Sequence, residues 1–122
     1  SIHVRLLMTD DDRDLIRRCA QLSYTSLSEL TGHIHLTLEH FKAMGKRPWL
    51  EIRCINAVMP VALVGIDINQ PSGKIYIQQY LYGADPADSP NFVCYSGDPW
   101  FRVYYNQIEA LWRDSTSIPY LQ

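Results

Sequence analysis

The chain has 122 residues, a mass of 14.1 kDa and a formal net charge of -2, and 47% of its residues are hydrophobic while 20% are charged. This size fits one domain of about 100–150 residues without room for a second, and the apolar content excludes a disordered chain. The pI of about 6.0 argues against a protein whose main task is to hold nucleic acid, and no apolar run reaches the roughly 18 residues of a membrane span.

The chain opens on a predicted strand at residues 2–8, without an initiator Met, which indicates a fragment of a longer protein. An acidic run follows, and residues 12–44 are predicted to be helical because apolar residues recur at steps of three and four. Ser26 and Glu29 have the spacing of a capping box, which predicts a break or a kink near Thr25. The apolar stripe after that break consists of Leu27, Leu30, Ile34, Leu38 and Phe41.

The middle of the chain is predicted to be strand. The strands span residues 49–56, 61–68, 74–82 and 92–95, and the second of them is so continuously apolar that we expect it to be buried on both faces. Asp98 and Pro99 then predict the start of a last helix, whose core stripe is Phe101, Tyr104, Ile108 and Leu111. The predicted fold class is α/β, with a mixed sheet of about five strands covered by the long helical segment and the C-terminal helix.

The cysteines and histidines predict neither a metal site nor a cofactor. Cys19, Cys54 and Cys94 are far apart among apolar neighbours, which is typical of structural thiols in a reducing, cytoplasmic compartment. No C-x-x-C pair exists, and His33 and His35 are spaced so that a helix turns them to different sides.

No catalytic motif is complete, so the sequence predicts a protein that is not an enzyme. His40 and Lys42 form an H-x-K pair, but the aspartate that a phospholipase D motif requires is replaced by Arg47. The chain also lacks a G-x-S-x-G elbow and a phosphate-cradling glycine loop. A phosphodiesterase or nuclease that uses His40 stays as a minor alternative.

Several polar residues of the predicted strands point opposite to the main apolar set. Arginine offers forked donors for phosphate or carboxylate, and tyrosine offers a stacking face with a hydroxyl, so the group suits a nucleotide-sized ligand. Arg53 and Asp67 lie on consecutive predicted strands and could pair across the sheet. The alternative is a buried ion pair with tyrosines packed under a helix. The predicted ligand-binding residues are Arg5, Arg53, Asp67, Gln78, Tyr80 and Tyr82.

Short motifs distributed over essentially the whole chain carry a resemblance. They read RLLMTDDD at 5–12, LEIR at 50–53, GID at 65–67, YLYG at 80–83, PNF at 90–92, WF at 100–101 and IEALW at 108–112. The chain resembles the degenerate phospholipase D-like domains at the C-terminal side of bacterial regulators and of signalling or antiviral defence effectors. The resemblance implies a scaffold without the catalytic histidine, and it implies a homodimer.

The leading hypothesis is a non-catalytic sensor domain spanning residues 1–122. It would bind a small anionic ligand, such as a nucleotide second messenger, and signal to an effector or membrane anchor in a missing N-terminal region, without binding nucleic acid directly. The alternative is a dimerisation or docking module without a ligand. Its expected apolar patch consists of Trp100, Tyr104, Tyr105 and Trp112.

Overall fold

The computed structural model describes residues 4–9, 12–23, 26–59, 61–81 and 86–117. The chain is mixed α/β, as predicted, and these residues form three α-helices, the last of which lies near the C-terminus. A short 3₁₀ turn at Pro86–Asp88 precedes the last long strand. The elements are β1 (Val4–Thr9), α1 (Arg13–Ser23), α2 (Leu27–Met44), β2 (Leu50–Ile55), β3 (Val61–Ile66), β4 (Lys74–Gln79), β5 (Asn91–Tyr95), α3 (Phe101–Asp114) and β6 (Thr116–Ser117).

The strands form two hydrogen-bonded sheets within the described residues, rather than the single sheet of about five strands that the sequence predicted. In the first sheet, β2 is the middle strand, parallel to β1 and antiparallel to β6. In the second sheet, β3, β4 and β5 form an antiparallel meander. The chain accordingly divides into two compact units, one with β1, most of α1, α2, β2 and β6, the other with β3, β4, β5 and α3. Alternation identifies a strand, but it does not say which neighbour that strand bonds to.

Helix ends in the first unit follow the signals in the sequence. Asp12 caps α1, since its Oδ1 accepts a hydrogen bond from the Leu15 backbone N–H at 2.9 Å. Ser26 is the N-cap of α2, where its Oγ accepts from the Glu29 N–H at 3.1 Å, so the predicted break between two helices is confirmed. Gly45 ends α2 at φ 77°, a conformation that glycine adopts without steric cost.

The buried side chains of the first unit come from both helices and from β2. Ile52 and Ile55 lie three positions apart on β2 and therefore point to opposite faces of its sheet, yet both are buried. The middle strand of this sheet is thus shielded on both sides. The buried hydrophobic residues of this unit are Leu15, Ile16, Ala20, Ile34, Ile52 and Ile55.

The second unit has its core between its sheet and α3. Ile75 and Ile77 of the central strand β4 are 0% and 1% exposed, and they cluster with buried Cys94 and Phe101. Tyr104 and Ile108 pack against this cluster, so the predicted core stripe of the last helix is confirmed at these positions. One face of the second sheet is therefore covered by α3.

Two local predictions are wrong. The third strand was expected to be buried on both faces, but Val64 is 56% and Ile66 44% exposed, because β3 is a terminal strand of its sheet and α3 covers only one face. Asp98 was expected to cap a helix starting at Pro99. Its carboxylate instead accepts from the Tyr95 N–H at 2.7 Å, which closes a turn, and α3 begins at Phe101.

No helix in the described part of the chain is long and apolar enough to cross a membrane.

Candidate functional site

The face of the second sheet that lies opposite α3, called the outer face below, combines apolar, aromatic and amide side chains. Alternate residues of a strand share a face, so Lys74, Tyr76 and Gln78 of the central strand lie on the side away from buried Ile75 and Ile77. The register adds their cross-strand partners from both neighbours. The outer face consists of Ala62, Val64, Ile66, Lys74, Tyr76, Gln78, Asn91, Val93 and Tyr95.

A shallow depression of about 300 Å³ lies on this surface. Tyr76, 42% exposed, stands at its centre in the register, beside Val64 on one strand and Val93 on the other. Neither an arginine nor a carboxylate is among the lining residues. Contact there is therefore made by an aromatic ring, aliphatic side chains and amides. The lining residues are Ala62, Val64, Tyr76, Ile77, Gln78, Asn91, Phe92 and Val93.

Amide groups occupy one end of the outer face and a cation occupies the other. Gln78 is directly opposite Asn91, whereas Lys74 is opposite Tyr95, which is 58% exposed. Asn91 Nδ2 donates a hydrogen bond to the Ser89 carbonyl at 3.4 Å. Ser89 itself is buried, so this bond anchors the Asn91 amide to the inside of the unit.

The two predicted arginines lie in the first unit, on one face of its sheet. Arg5 of β1 is aligned with Glu51 of β2, and Arg53 lies two positions after Glu51 on β2. Glu51 therefore has one arginine beside it on the neighbouring strand and another along its own strand. All three residues take part in polar or electrostatic interactions. The register thus places Glu51 on the same face of the first sheet as both arginines.

The expected pairing of Arg53 with Asp67 across one sheet is wrong. Arg53 is aligned with Leu7 on one side and with Ser117 on the other, so β2 has no free edge at that position for β3. Asp67 follows β3 at φ 50°, a left-handed conformation that aspartate tolerates better than most residues, and it starts the turn into β4. Its carbonyl accepts from the Gln70 N–H at 2.9 Å.

The structure thus distributes the predicted site residues rather than collecting them all. Gln78 is on the outer face, and half-buried Tyr80 directly follows β4, whereas Asp67 lies at the opposite end of the same sheet. Tyr82 lies outside the described residues. Tyr76 and Asn91 were not among the predicted site residues. Tyr76 lies two positions before Gln78 on β4 and therefore on the same face, so the alternation could have identified it.

A second cleft, of about 400 Å³, lies between the β3–β4 loop and the start of α3. Tyr105 donates its hydroxyl hydrogen to Asn69 Oδ1 at 2.7 Å, and the Arg102 guanidinium carbon lies 4.7 Å from the centre of the Tyr105 ring. Ser96 Oγ closes one wall by donating to the Pro71 carbonyl at 3.0 Å. The polar groups of this cleft therefore bond mainly to one another and hold the loop to the helix.

Neither a metal centre nor an activated thiol is apparent in the described ranges. No group of three His, Cys, Asp or Glu side chains there could hold a metal ion. Burial raises the pKa of the Cys19 thiol, an effect that Arg18 and a hydrogen bond with Thr9 oppose only in part. Burial, with a contribution from the Asp98 carboxylate, also raises the pKa of Cys94. Both thiols are therefore less nucleophilic than an exposed cysteine at neutral pH.

Comparison with protein-family models, with curated proteins and with solved structures found no match. The architecture therefore defines the class by itself: a mixed α/β chain with a parallel-containing first sheet and an antiparallel second sheet backed by one helix. The resemblance to phospholipase D-like domains stays a prediction.

Proposed function

We propose that the chain is a non-catalytic sensor module that binds a small anionic ligand of nucleotide type on the outer face of the second sheet. One observation carries the proposal: the central strand β4 presents a cation, an aromatic ring and an amide, at Lys74, Tyr76 and Gln78, on the same face. A nucleotide has a matching set of groups, namely a phosphate, a flat base and hydrogen-bonding base edges.

The aromatic contact contributes most of the binding energy in this proposal. Tyr76 is 42% exposed and is flanked in the register by aliphatic Val64 and Val93, so one side of its ring can meet a planar group. Stacking of a base on an aromatic side chain is worth about 1–3 kcal/mol.

The charge contribution comes from Lys74. It lies two positions before Tyr76 on the same face, about 7 Å along the strand, so one ligand can contact both side chains. A lysine ammonium binds phosphate as a point charge rather than as a fork. Arg5 and Arg53 are strand residues of the first unit, aligned beside Glu51, and have no part in this proposal.

Titration with a panel of mononucleotides tests the proposal, with the melting temperature and calorimetric Kd as readouts. A ligand of the folded state raises the melting temperature. Tyr76→Ala is expected to weaken binding at least about fivefold, whereas Tyr76→Phe keeps the ring and the affinity. Lys74→Ala weakens binding of phosphorylated ligands, and Lys46→Ala, an exposed lysine of the first unit, serves as the matched control. If no nucleotide changes the melting temperature, the proposal is overturned.

The bound nucleotide is expected to be released chemically intact. His40 and Lys42 are exposed residues of α2 rather than neighbours on a strand, and Arg47 replaces the aspartate of the motif. Incubation of the protein with the bound nucleotide, followed by chromatography, is expected to return the intact compound. Hydrolysis that disappears in His40→Ala would instead support the phosphodiesterase or nuclease alternative.

Self-association is a second candidate function, favoured by exposed apolar groups at the start of α3. Trp100 is 65% and Val103 52% exposed, whereas Tyr104 and Tyr105 pack against the core of the second unit, so the apolar patch is smaller than the sequence predicted. Large exposed hydrophobic groups commonly mark interfaces. Sedimentation should show a dimer for the wild type and a monomer for Trp100→Ala, with Trp49→Ala, 42% exposed, as control.

A sensor must transmit ligand binding to another region. We assign that receiving role to an effector or anchor region of a longer protein, acting in the cytoplasm. Within the described residues Cys19, Cys54 and Cys94 form no disulfide with one another, which fits a reducing compartment. Expression of the chain with its flanking domains, followed by limited proteolysis with and without nucleotide, is the corresponding test. Identical cleavage in both states would contradict a signalling role.

A further inference from the structure

We infer that the base recognised on the outer face is adenine, an inference that rests on the proposed function and specifies its ligand class. The observation is the direct opposition of two carboxamides, Gln78 and Asn91, in the β4–β5 ladder. Directly opposed side chains of an antiparallel pair have Cβ atoms about 4.5–5.5 Å apart. Both residues line the same depression as Tyr76.

A carboxamide matches the hydrogen-bonding edge of adenine. Its oxygen accepts from the adenine N6 amino group while its nitrogen donates to N7, which is the recurrent pairing of Asn or Gln with this base. Asn91 can make this contact while retaining its own bond, because Nδ2 uses one hydrogen for the Ser89 carbonyl and has a second one. The Asn91 amide is also oriented by that bond.

The composition of the depression argues against guanine and cytosine. Guanine is read by Arg or Lys at its O6 and N7, and cytosine by a carboxylate at its N4 amino group. None of the eight lining residues is an arginine, a lysine or a carboxylic acid. Lys74 is on the outer face but is opposite Tyr95, at the other end from the amide pair, where the phosphate is expected.

Calorimetric titration with AMP, GMP and ribose 5-phosphate tests the inference. AMP is expected to bind about ten times more tightly than GMP, within the 1–3 kcal/mol that a good bidentate contact provides, and ribose 5-phosphate more weakly than either. Gln78→Glu and Asn91→Asp keep the side-chain shape but remove the amide donor, so they should abolish the preference for AMP. Gln107→Leu, on exposed α3 surface, is the matched control. Circular dichroism of each variant verifies that it is folded.

The outcomes separate the two levels of the proposal. Equal binding of AMP and GMP that depends on Tyr76 would overturn the adenine assignment and leave the proposed function intact. A preference for AMP that persists in folded Gln78→Glu and Asn91→Asp variants would also overturn the assignment of the amide pair. Failure of every compound to bind would overturn the proposed function itself.

Discussion

Tyr105 on α3 donates its hydroxyl hydrogen to Oδ1 of Asn69 over 2.7 Å, joining residues 36 positions apart in the sequence. Asn69 lies in the loop between β3 and β4, so the bond ties the helix to the hairpin that forms most of the second sheet. The Arg102 guanidinium lies over the same tyrosine ring at 4.7 Å. The ring therefore joins two parts of the second unit, α3 and the β3–β4 loop, at one point.

Removal of that hydroxyl is expected to lower the free energy of unfolding. The bond is exposed, so Tyr105→Phe should cost about 0.5–1 kcal/mol, near the lower end for a neutral hydrogen bond. Urea unfolding measures the change. A double-mutant cycle with Asn69→Ala supplies the control, because the second substitution should cost little once the first has been made. Strictly additive losses would show that the bond does not contribute.

Ser26→Ala is expected to destabilise α2. The substitution leaves the Glu29 N–H without its side-chain acceptor, and loss of an N-cap typically costs about 1 kcal/mol. The midpoint of urea unfolding and the helical signal in circular dichroism both report this loss. Ser26→Asp retains an acceptor beside the positive end of the helix dipole and should unfold at a midpoint close to that of the wild type. A stability of Ser26→Ala equal to that of Ser26→Asp would contradict the cap assignment.

Gly73→Ala is expected to strain the β3–β4 turn. A Cβ at this position would lie 2.7 Å from the Asp67 carbonyl oxygen and 3.0 Å from that of Gln70, both rigid backbone atoms. Overpacking of this kind costs about 1–3 kcal/mol, which thermal unfolding detects. Gly97→Ala is the matched control, since a Cβ added there would meet no atom within 4 Å and the φ of Gly97 is not left-handed. Equal melting temperatures for the two variants would refute the explanation.

Alkaline pH is expected to destabilise the fold through the buried thiols. Burial raises the pKa of Cys94 and of Cys19 above the usual 9.0 of a thiol, so the neutral form is favoured in the folded state. A pKa raised on folding contributes stability that is complete below the unfolded value and is lost as pH rises through the folded value. The free energy of unfolding should therefore fall above about pH 9. The double variant Cys19→Ala, Cys94→Ala should fall less steeply, and parallel curves would contradict the prediction.

Local structure could be predicted from the sequence to the extent that it depends on near neighbours. The cap at Ser26, the end of α2 at Gly45 and the buried stripe of α3 all follow from side chains within a few residues. Short loops also predict the antiparallel order of β3, β4 and β5, but the pairing of β2 with β6 could not be predicted in the same way. The alignment of Arg53 with Ser117 joins positions far apart in the chain, and no local pattern specifies such a pairing.

The candidate site could be predicted only in part for a related reason. Gln78 was recognisable because alternation places it opposite Ile77, but its partner Asn91 lies at the start of a strand whose register depends on the loop before it. Alternation also places Tyr76 on the same face as Gln78, but it does not say which face of the sheet a helix covers. Only the location of α3 on the other face shows that its ring is partly exposed.

The middle strand of the first sheet, β2, lies between β1, which precedes it in the sequence, and β6, which follows it much later. Residues of β2 pair with β1 before them and with β6 more than 60 positions later, so Met59–Arg113 of the second unit are synthesised between β2 and β6. A nascent chain that has not reached residue 116 leaves backbone N–H and C=O groups of Arg53 and Cys54 unpaired on one edge. Such an edge is a template for strands of other chains. Proteins truncated before Thr116 are therefore expected to aggregate during translation more than the intact chain does.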